Sequence, residues 1–217
     1  MTDTVRYPLV LGIISLCSAA GLALTYSLTR DEIRRQGQLK KDRGLAEVFG
    51  IQLDPKAGGP PPWQTVQVPG PKGDGGYAIY KANDPETHEV LYAAEGSAQG
   101  YSSRVEVVVA VTENVASDPG RARIRAIKVV KQLETPGLGS KSTDPKFQWQ
   151  FDDLPIPHLE LEKNKPYRDL ENPQNATQGV AAITGATITS TAVINGVRQA
   201  IDRIHKGIAT DEPKAAP

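Results

Sequence analysis

One stretch near the N-terminus constrains the fold of this chain most strongly, because residues 7–28 include no charged side chain. As a helix, these 22 residues would be about 33 Å long at 1.5 Å per residue, which is enough to cross the hydrocarbon core of a bilayer. Arg6 and Arg30 flank the stretch, and Tyr7 and Tyr26 stand where interfacial aromatic side chains are expected. The sequence therefore predicts one transmembrane helix over residues 7–28.

Three other interpretations compete with a membrane anchor. A cleaved signal peptide would need a small-residue cleavage site, which residues 18–20 or 21–23 could loosely supply. A lipoprotein anchor on Cys17 would need a small residue where Leu16 stands, and a buried helix of a soluble protein would need the polar face that is missing here. The positive-inside rule would place the C-terminal bulk in the cytoplasm, because basic residues follow the span: Arg30, Arg34, Arg35, Lys40, Lys41 and Arg43.

The composition excludes several classes of function. The chain has 25 basic and 25 acidic residues, so it lacks the positive charge of a nucleic-acid-binding protein. Its single cysteine excludes an intramolecular disulfide and any zinc or iron–sulfur site built from several cysteines. Its three histidines, His88, His158 and His205, are too scattered to predict a metal site. We therefore expect no metal and no nucleic-acid partner.

Composition also divides the rest of the chain. Residues 29–53 are charged with sparse apolar positions, which predicts a membrane-proximal helical segment ended by Gly50. Residues 54–76 contain six prolines and six glycines, which predicts a linker or loop without regular structure. The predicted organisation is a flank (1–6), the span (7–28), the helical segment (29–53), the linker (54–76), one folded domain (77–209) and a disordered tail (210–217).

The pattern of the folded domain is that of a sheet with polar side chains on one face. Strands are predicted at residues 77–80 and 90–94, and a third has valine at every second position over 105–111. In a fourth strand the alternation slips after Ala126, which indicates a bulge. Apolar residues over 193–208 recur every three or four positions and predict a helix. The fold class is therefore α+β, with a mainly antiparallel sheet and flanking helices.

Two short segments are the candidate functional sites. In Glu134-Thr135-Pro136-Gly137-Leu138-Gly139, the Pro-Gly pair fits a type II turn and the last glycine allows close approach of a ligand, whereas Ser140 breaks any likeness to a P-loop. In Thr184-Gly185-Ala186-Thr187-Ile188-Thr189-Ser190, Thr189 or Ser190 could cap the final helix, or the helix N-terminus and the Thr187 hydroxyl could bind a phosphate. Neither segment contains a nucleophile–base pair, so no catalytic residue is predicted.

Together these pieces resemble the RnfG (or RsxG) family, the membrane-anchored, covalently flavinylated subunits of Rnf-type electron-transport complexes. The related NqrC family shares the flavin-binding domain. The resemblance rests on the N-terminal span, on Gly100-Tyr101-Ser102 before a strand, and on the two segments above in that order. It covers most of the chain and is tightest over residues 100–200.

The resemblance implies that a flavin transferase, using FAD, joins FMN to Thr187 through a phosphoester bond. It implies a cofactor site that also includes Glu134, Thr135, Gly137, Leu138, Gly139, Thr184, Gly185, Ala186 and Thr189. The protein would be a non-catalytic electron-transfer subunit of a redox-driven translocase, coupling ferredoxin–NAD chemistry to ion translocation beside other membrane and iron–sulfur subunits. It would be a single-pass inner-membrane protein with its FMN domain on the periplasmic side, contrary to the positive-inside rule.

Two alternatives and three departures accompany this resemblance. An NqrC-like subunit of a sodium-translocating NADH:quinone reductase is the alternative within redox chemistry, and a membrane-anchored scaffold without flavin is the alternative from another class. Ala181 stands where the family usually has Asp, three residues before the Ser/Thr-Gly-Ala-Thr motif, and Gln132 stands where relatives often have His. Residues 147–167 look idiosyncratic, and no functional residue is predicted there.

Overall fold

The protein consists of a long N-terminal helix that runs into a folded unit; this structure is a computed structural model. The described residues are 3–53, 60–70, 76–118, 120–167 and 179–211. Helix α1 spans Asp3–Phe49, and its Tyr7–Phe49 part is long and apolar enough to cross a membrane. The most apolar 18 residues of this part are not buried against the rest of the protein. Contacts divide the chain into two units, Met1–Lys40 and Lys41–Pro217. The C-terminal end of α1 therefore belongs to the second unit.

The remaining elements follow α1 in chain order. Strands β1 to β5 are Gln64–Val68, Tyr77–Asn83, Val90–Gln99, Arg104–Thr112 and Arg123–Lys131, and the short helix α2 is Asn114–Ser117. Single 3₁₀ turns lie at Gly139–Thr143, Trp149–Phe151 and Ile156–His158, and the short helix α3 is Pro145–Gln148. Strands β6, β7 and β8 are Leu154–Pro155, Leu161–Glu162 and Val180–Ala181, and helix α4 is Thr187–Asp211.

The main sheet has six strands in the order β1-β2-β3-β4-β5-β6, with every neighbouring pair antiparallel. Strands β7 and β8 pair in parallel as a separate small sheet. The register of β4 with β5 shifts between Ala110 and Val111, so that Arg125 is skipped. This shift confirms the predicted bulge, and it lets both Ile124 and Ile127 reach the same buried cluster. The α+β class with a mainly antiparallel sheet is confirmed.

Helix α4 covers one face of this sheet and packs mainly on β3 and β4. The four valines at alternate positions over 105–111 are all fully buried beneath it, which confirms the predicted strand and helix. Polar contacts add to the packing: the Ser97 N–H donates to Gln199 Oε1 (2.7 Å), and Arg203 Nη1 donates to the Glu95 carbonyl (2.7 Å).

The other face of the sheet is buried as well, so the expectation of a polar face is wrong. Leu45, Val48 and Phe49 at the end of α1 pack with Trp63 over a second apolar cluster, which includes Val108 of β4. The expectation failed because the residues that cover this face lie outside the strands, at the end of a helix that precedes β1 in the chain. We call this cluster the α1 cluster.

Two predicted boundaries differ from the observed ones. The linker predicted over 54–76 contains strand β1, which forms five register pairs with β2 and is therefore regular structure despite the neighbouring prolines. Residues 54–59 and 71–75 of that segment lie outside the described residues. Helix α4 continues to Asp211, two residues into the predicted tail, and residues 212–217 lie outside the described part of the chain.

A buried carboxylate ties the β2–β3 turn to β5. Asp84 is 1% exposed, accepts a hydrogen bond from Arg125 Nε at 2.8 Å, and accepts the backbone N–H groups of Glu86 and Thr87. Burial raises the pKa of Asp84, but the bonds from Arg125, Glu86 and Thr87 lower it more, so the carboxyl titrates below its ordinary value.

Candidate functional site

A cleft of about 640 Å³ brings together the two segments that the sequence singled out. Its volume lies within the usual range for small-molecule sites, which is about 300–1,000 Å³. One wall is the loop after β5 and the other is the start of α4, with the turn between β3 and β4 at the edge. The lining residues are Tyr101, Glu134, Thr135, Leu138, Gly139, Gly185, Ala186, Thr187, Ile188 and Thr189.

The loop wall has the turn that the sequence predicted. Gly137 has a φ of +74°, and the Leu138 N–H donates to the Thr135 carbonyl at 3.2 Å. Both features fit a type II turn with proline at its second position. Ser140 supports the turn from inside the loop, because its Oγ accepts the Gly137 N–H at 2.9 Å. The turn directs Leu138 into the cleft lining, with its side chain partly exposed.

Glu134 connects this loop to the turn between β3 and β4. Its Oε1 accepts the backbone N–H groups of Ser102 (3.1 Å) and Ser103 (2.9 Å) and the Ser103 hydroxyl (3.2 Å). Its Oε2 accepts the Tyr101 N–H at 3.1 Å. The carboxylate thus holds together two segments that are about thirty positions apart in the chain.

The same carboxylate reaches a third segment, the first turn of α4. Thr189 Oγ1 donates to Glu134 Oε2 at 2.6 Å, and both residues are buried, at 1% and 6% exposure. Hydrogen bonds to an ionised acceptor are about twice as strong as those between neutral groups. Glu134 therefore fixes both walls of the cleft relative to each other.

The pKa of Glu134 is lowered from its ordinary value of 4.5. Burial alone would raise this pKa, but the hydrogen bonds from Thr189 and from the backbone of Ser103, Ser102 and Tyr101 stabilise the ionised form more than burial disfavours it. The carboxylate is therefore charged at neutral pH.

This lowered pKa predicts a loss of stability in acid. Below pH 4.5 the unfolded chain takes up a proton on Glu134 before the folded protein does, so the free energy of unfolding falls as the pH drops through the folded-state pKa. We expect denaturant titrations at pH 6, 4 and 3 to show this fall, and we expect Glu134→Gln to flatten part of it. An unchanged pH dependence in the variant would contradict this assignment.

Gly139 is closely approached by the protein's own side chains, and the approach of a ligand at this glycine stays a prediction. A Cβ at this position would lie 2.6 Å from Thr189 Oγ1 and 2.8 Å from Glu134 Cβ. Real Cβ atoms essentially never come that close to other heavy atoms. The glycine is therefore required by the protein's own Glu134–Thr189 pair, which occupies the space where a side chain would lie.

The first turns of α4 carry four hydroxyl side chains with different hydrogen-bond partners, those of Thr187, Thr189, Ser190 and Thr191. Helix α4 begins at Thr187, so Thr189 and Ser190 lie inside its first turn, and the prediction that one of them caps the helix is wrong. Ser190 Oγ instead donates to the Ala186 carbonyl (3.1 Å) and accepts the Ile183 N–H (2.9 Å). Thr191 Oγ1 donates to the Thr187 carbonyl at 2.9 Å.

The Thr187 hydroxyl differs from these. Thr187 lines the cleft and is partly exposed, and among the described residues its hydroxyl has no hydrogen-bond partner. The backbone N–H groups of a first helical turn have no partner within the helix, and the helix dipole favours negative charge at that end. An accessible hydroxyl and a set of N–H donors therefore meet at one point of the cleft.

The structure brings most of the predicted site residues to the cleft, with two exceptions. Thr184 and Gly137 do not line it, although each is close in sequence to residues that do. Tyr101 and Ile188 line it and were not predicted. A signal for both was present, since Tyr101 belongs to a segment that carried the family resemblance and Ile188 lies inside the second motif. Their large side chains, 71% and 55% exposed, form an apolar rim with Leu138.

The positions that depart from the family pattern lie outside the cleft lining. Ala181 is buried in β8, where its N–H donates to Gln150 Oε1 at 2.9 Å. Gln132 Oε1 accepts the Glu134 N–H at 2.7 Å and so supports the backbone before the loop. In the idiosyncratic segment, Phe147 and Phe151 are fully buried in the core beneath α4, so this segment contributes core packing as well as the Gln150 hydrogen bond to β8.

The cleft fits a flavin nucleotide in size and in chemistry. Helix N–H groups and a free hydroxyl suit a phosphate, and the apolar rim of Tyr101, Leu138 and Ile188 suits an aromatic ring. Among the described residues there is no group of three or more His, Cys, Asp or Glu side chains that could hold a metal ion.

Comparison with known proteins assigns the part of the chain that contains this cleft to a known domain. A family model described as the FMN-binding domain matches residues 100–202, and one described as the RnfG N-terminal region matches residues 1–48. The G subunit of the ion-translocating oxidoreductase complex of Methanosarcina acetivorans is 29% identical over 194 residues, which are 88% of this chain and 89% of that protein.

Two further comparisons concern the sequence and the fold. The G subunit of the proton-translocating ferredoxin:NAD(+) oxidoreductase complex of Clostridium ljungdahlii is 31% identical over 128 residues, which are 59% of this chain and 58% of that protein. The crystal structure of Shewanella oneidensis NqrC aligns with a TM-score of 0.53 at 16% identity, covering 85% of this chain and 100% of that one. At this identity the likeness to NqrC shows the fold. The two family models and the G subunits show the family: this chain belongs to the RnfG family, with its FMN-binding domain at residues 100–202.

Proposed function

We propose that this chain is the electron-carrier subunit of a membrane-bound, Rnf-type ion-translocating oxidoreductase and that it holds FMN through a phosphoester bond to Thr187. The observation that carries the attachment site is the accessibility of one hydroxyl. Of the five hydroxyl side chains in residues 184–191, Thr187 lines the cleft without a hydrogen-bond partner among the described residues. Thr189, Ser190 and Thr191 donate their hydroxyl protons within the protein.

The remaining hydroxyl belongs to Thr184, which is exposed and does not line the cleft. A flavin attached there would start outside the space that the two walls enclose. A flavin attached at Thr187 would start at the helix N-terminus, where the first-turn N–H groups can donate to its phosphate oxygens. This difference supports Thr187 as the acceptor.

Different residues of the cleft would contact different parts of the cofactor. The first turn of α4 offers donors and positive potential to the phosphate, and the partly exposed side chains of Leu138, Ile188 and Tyr101 offer apolar contact at the rim. Glu134 keeps both walls in place through its bonds to the β3–β4 turn and to Thr189. When bound, FMN would supply the redox chemistry, and the residues of the cleft would hold and orient it.

The location of the chain in the cell is part of the proposal. The apolar helix and the family support anchoring, and we propose a single pass through the inner membrane with the FMN-binding domain on the periplasmic side. The basic residues after the span argue against this orientation, but assembly with multi-span partner subunits can override their effect. Labelling of Glu113→Cys by a membrane-impermeant maleimide in intact cells tests it, because the native Cys17 lies within the span.

Intact-mass spectrometry of the full chain tests the attachment. We expect co-expression with a flavin transferase to add the mass of one FMN, with the loss of water that phosphoester formation requires, and to make the denatured protein fluorescent in a gel. A colourless protein with no mass increment under these conditions would favour the anchored scaffold without flavin.

A further inference from the structure

Two threonines of the first turn of α4 line the same cleft, and a flavin could in principle be attached to either of them. Thr187 and Thr189 are two positions apart, and both contribute to the lining. They differ in exposure and in one contact. Thr189 is 1% exposed and its hydroxyl donates to Glu134 Oε2 at 2.6 Å, whereas Thr187 is partly exposed and its hydroxyl has no hydrogen-bond partner among the described residues.

The attachment reaction makes this contact important. The threonine Oγ1 forms a bond to the phosphorus of the FMN half of FAD, the pyrophosphate bond breaks, and AMP leaves while the hydroxyl proton passes to a base of the transferase. The donor brings negatively charged phosphate oxygens to the accepting hydroxyl. A carboxylate 2.6 Å from that hydroxyl repels these oxygens, and the repulsion is strong where water is excluded.

Glu134 is also a poor base for its neighbour. Its oxygens accept three backbone N–H groups and the Ser103 hydroxyl in addition to Thr189, so the ionised form is well stabilised and has little tendency to take up the Thr189 proton. The carboxylate therefore repels the phosphate from Thr189 without activating its hydroxyl.

We propose that Glu134 is the positioning residue that decides which threonine accepts the flavin: it holds the Thr189 hydroxyl and keeps phosphate away from it, so that transfer occurs at Thr187. This inference rests on the proposed attachment of FMN to Thr187. It assigns Glu134 a role in maturation in addition to its role in holding the cleft walls together.

The test maps the position of the flavin in four full-length proteins that are co-expressed with a flavin transferase. They are the wild type, Thr187→Ala, Glu134→Gln and the Thr187→Ala/Glu134→Gln double variant. Peptide fragmentation separates a label on residue 187 from one on 189. Glutamine is nearly isosteric with glutamate and removes the charge. We expect FMN on Thr187 in the wild type and no label above the detection limit in Thr187→Ala. In the Thr187→Ala/Glu134→Gln double variant we expect FMN on Thr189 at about tenfold or more above that limit, and a tenfold change corresponds to about 1.4 kcal/mol of lost repulsion.

Asp84→Asn is the matched control, because Asp84 is another buried carboxylate that accepts backbone N–H groups but lies on the β2–β3 turn and does not line the cleft. We expect FMN on Thr187 alone in this control. If far-UV circular dichroism shows that Glu134→Gln does not fold, Glu134→Asp replaces it, since a side chain shorter by one methylene withdraws the charge from Thr189.

Each result has a defined meaning. FMN on Thr189 in the double variant but not in a Thr187→Ala/Asp84→Asn protein supports the role of Glu134. A folded double variant without FMN on Thr189, or equal labelling of Thr189 in both double variants, overturns it while leaving attachment at Thr187 intact. A wild-type protein without FMN overturns the proposed function and this inference together.

Discussion

The Thr187→Ala protein is expected to lose covalent FMN completely. The change removes the oxygen that would form the phosphoester, and the other hydroxyls of the segment either donate within the protein or lie outside the cleft. Fluorescence of the denatured protein in a gel and its intact mass measure this loss directly. Because Thr187 is only partly buried and its hydroxyl makes no described hydrogen bond, the variant should fold with nearly unchanged stability.

Two matched variants define what the loss means. Thr187→Ser keeps an accepting hydroxyl and should still carry FMN, and Thr184→Ala removes a hydroxyl that does not line the cleft and should carry FMN as the wild type does. If Thr187→Ala still carried covalent flavin while Thr184→Ala had lost it, the attachment site would be Thr184.

The second large effect is expected at Phe49, at the end of α1. Its side chain is 0% exposed and packs with Trp63, with the ring centroids 6.2 Å apart, over the face of the sheet opposite α4. Truncation of a buried phenylalanine leaves a cavity and costs about 3–5 kcal/mol. We expect Phe49→Ala to lower the free energy of unfolding of the second unit, Lys41–Pro217, which we call the FMN-binding unit, by this amount. Denaturant titration of the full chain in detergent measures the change, with tryptophan fluorescence as the signal.

Ile33→Ala is the control for this experiment. Ile33 lies in the same helix, but its side chain is 60% exposed, so its truncation should change the unfolding free energy of that unit little. Equal unfolding midpoints for Phe49→Ala and the wild type would show that the α1 cluster does not stabilise the unit.

The position of Phe49 bears on how the redox site is held. The second unit of the chain begins at Lys41, so the last turns of α1 are part of the core of the FMN-binding unit. Lys41 and Lys128 add ion pairs to Glu95 and Glu47 around the same face. The Pro/Gly-rich segment over 54–76 therefore follows this packed helix end and does not separate it from the unit as a tether.

The spacing of apolar residues in the sequence predicted the strands and the helix in which that spacing is regular. Alternating valines over 105–111 gave β4, and the slip after Ala126 gave the bulge, because a change of phase in a half-buried strand requires an extra residue. The spacing over 193–208 gave α4. Strands β6, β7 and β8 have two residues each and were not predicted, because so short a strand carries no periodic signal.

The sequence by itself supplied the two motifs, the predicted membrane span and the resemblance to the family. The motifs and the span follow from residue types along the chain, whereas the choice of Thr187 as the expected attachment point follows from the resemblance. Only the tertiary structure decided which hydroxyl is accessible and what Glu134 does. The bonds of Glu134 to residues 101–103 and to Thr189 join positions 31 to 55 residues apart, and their existence depends on how the sheet and α4 pack. These donors keep the buried Glu134 charged beside Thr189, because a carboxylate can remain ionised in the interior only when such donors surround it.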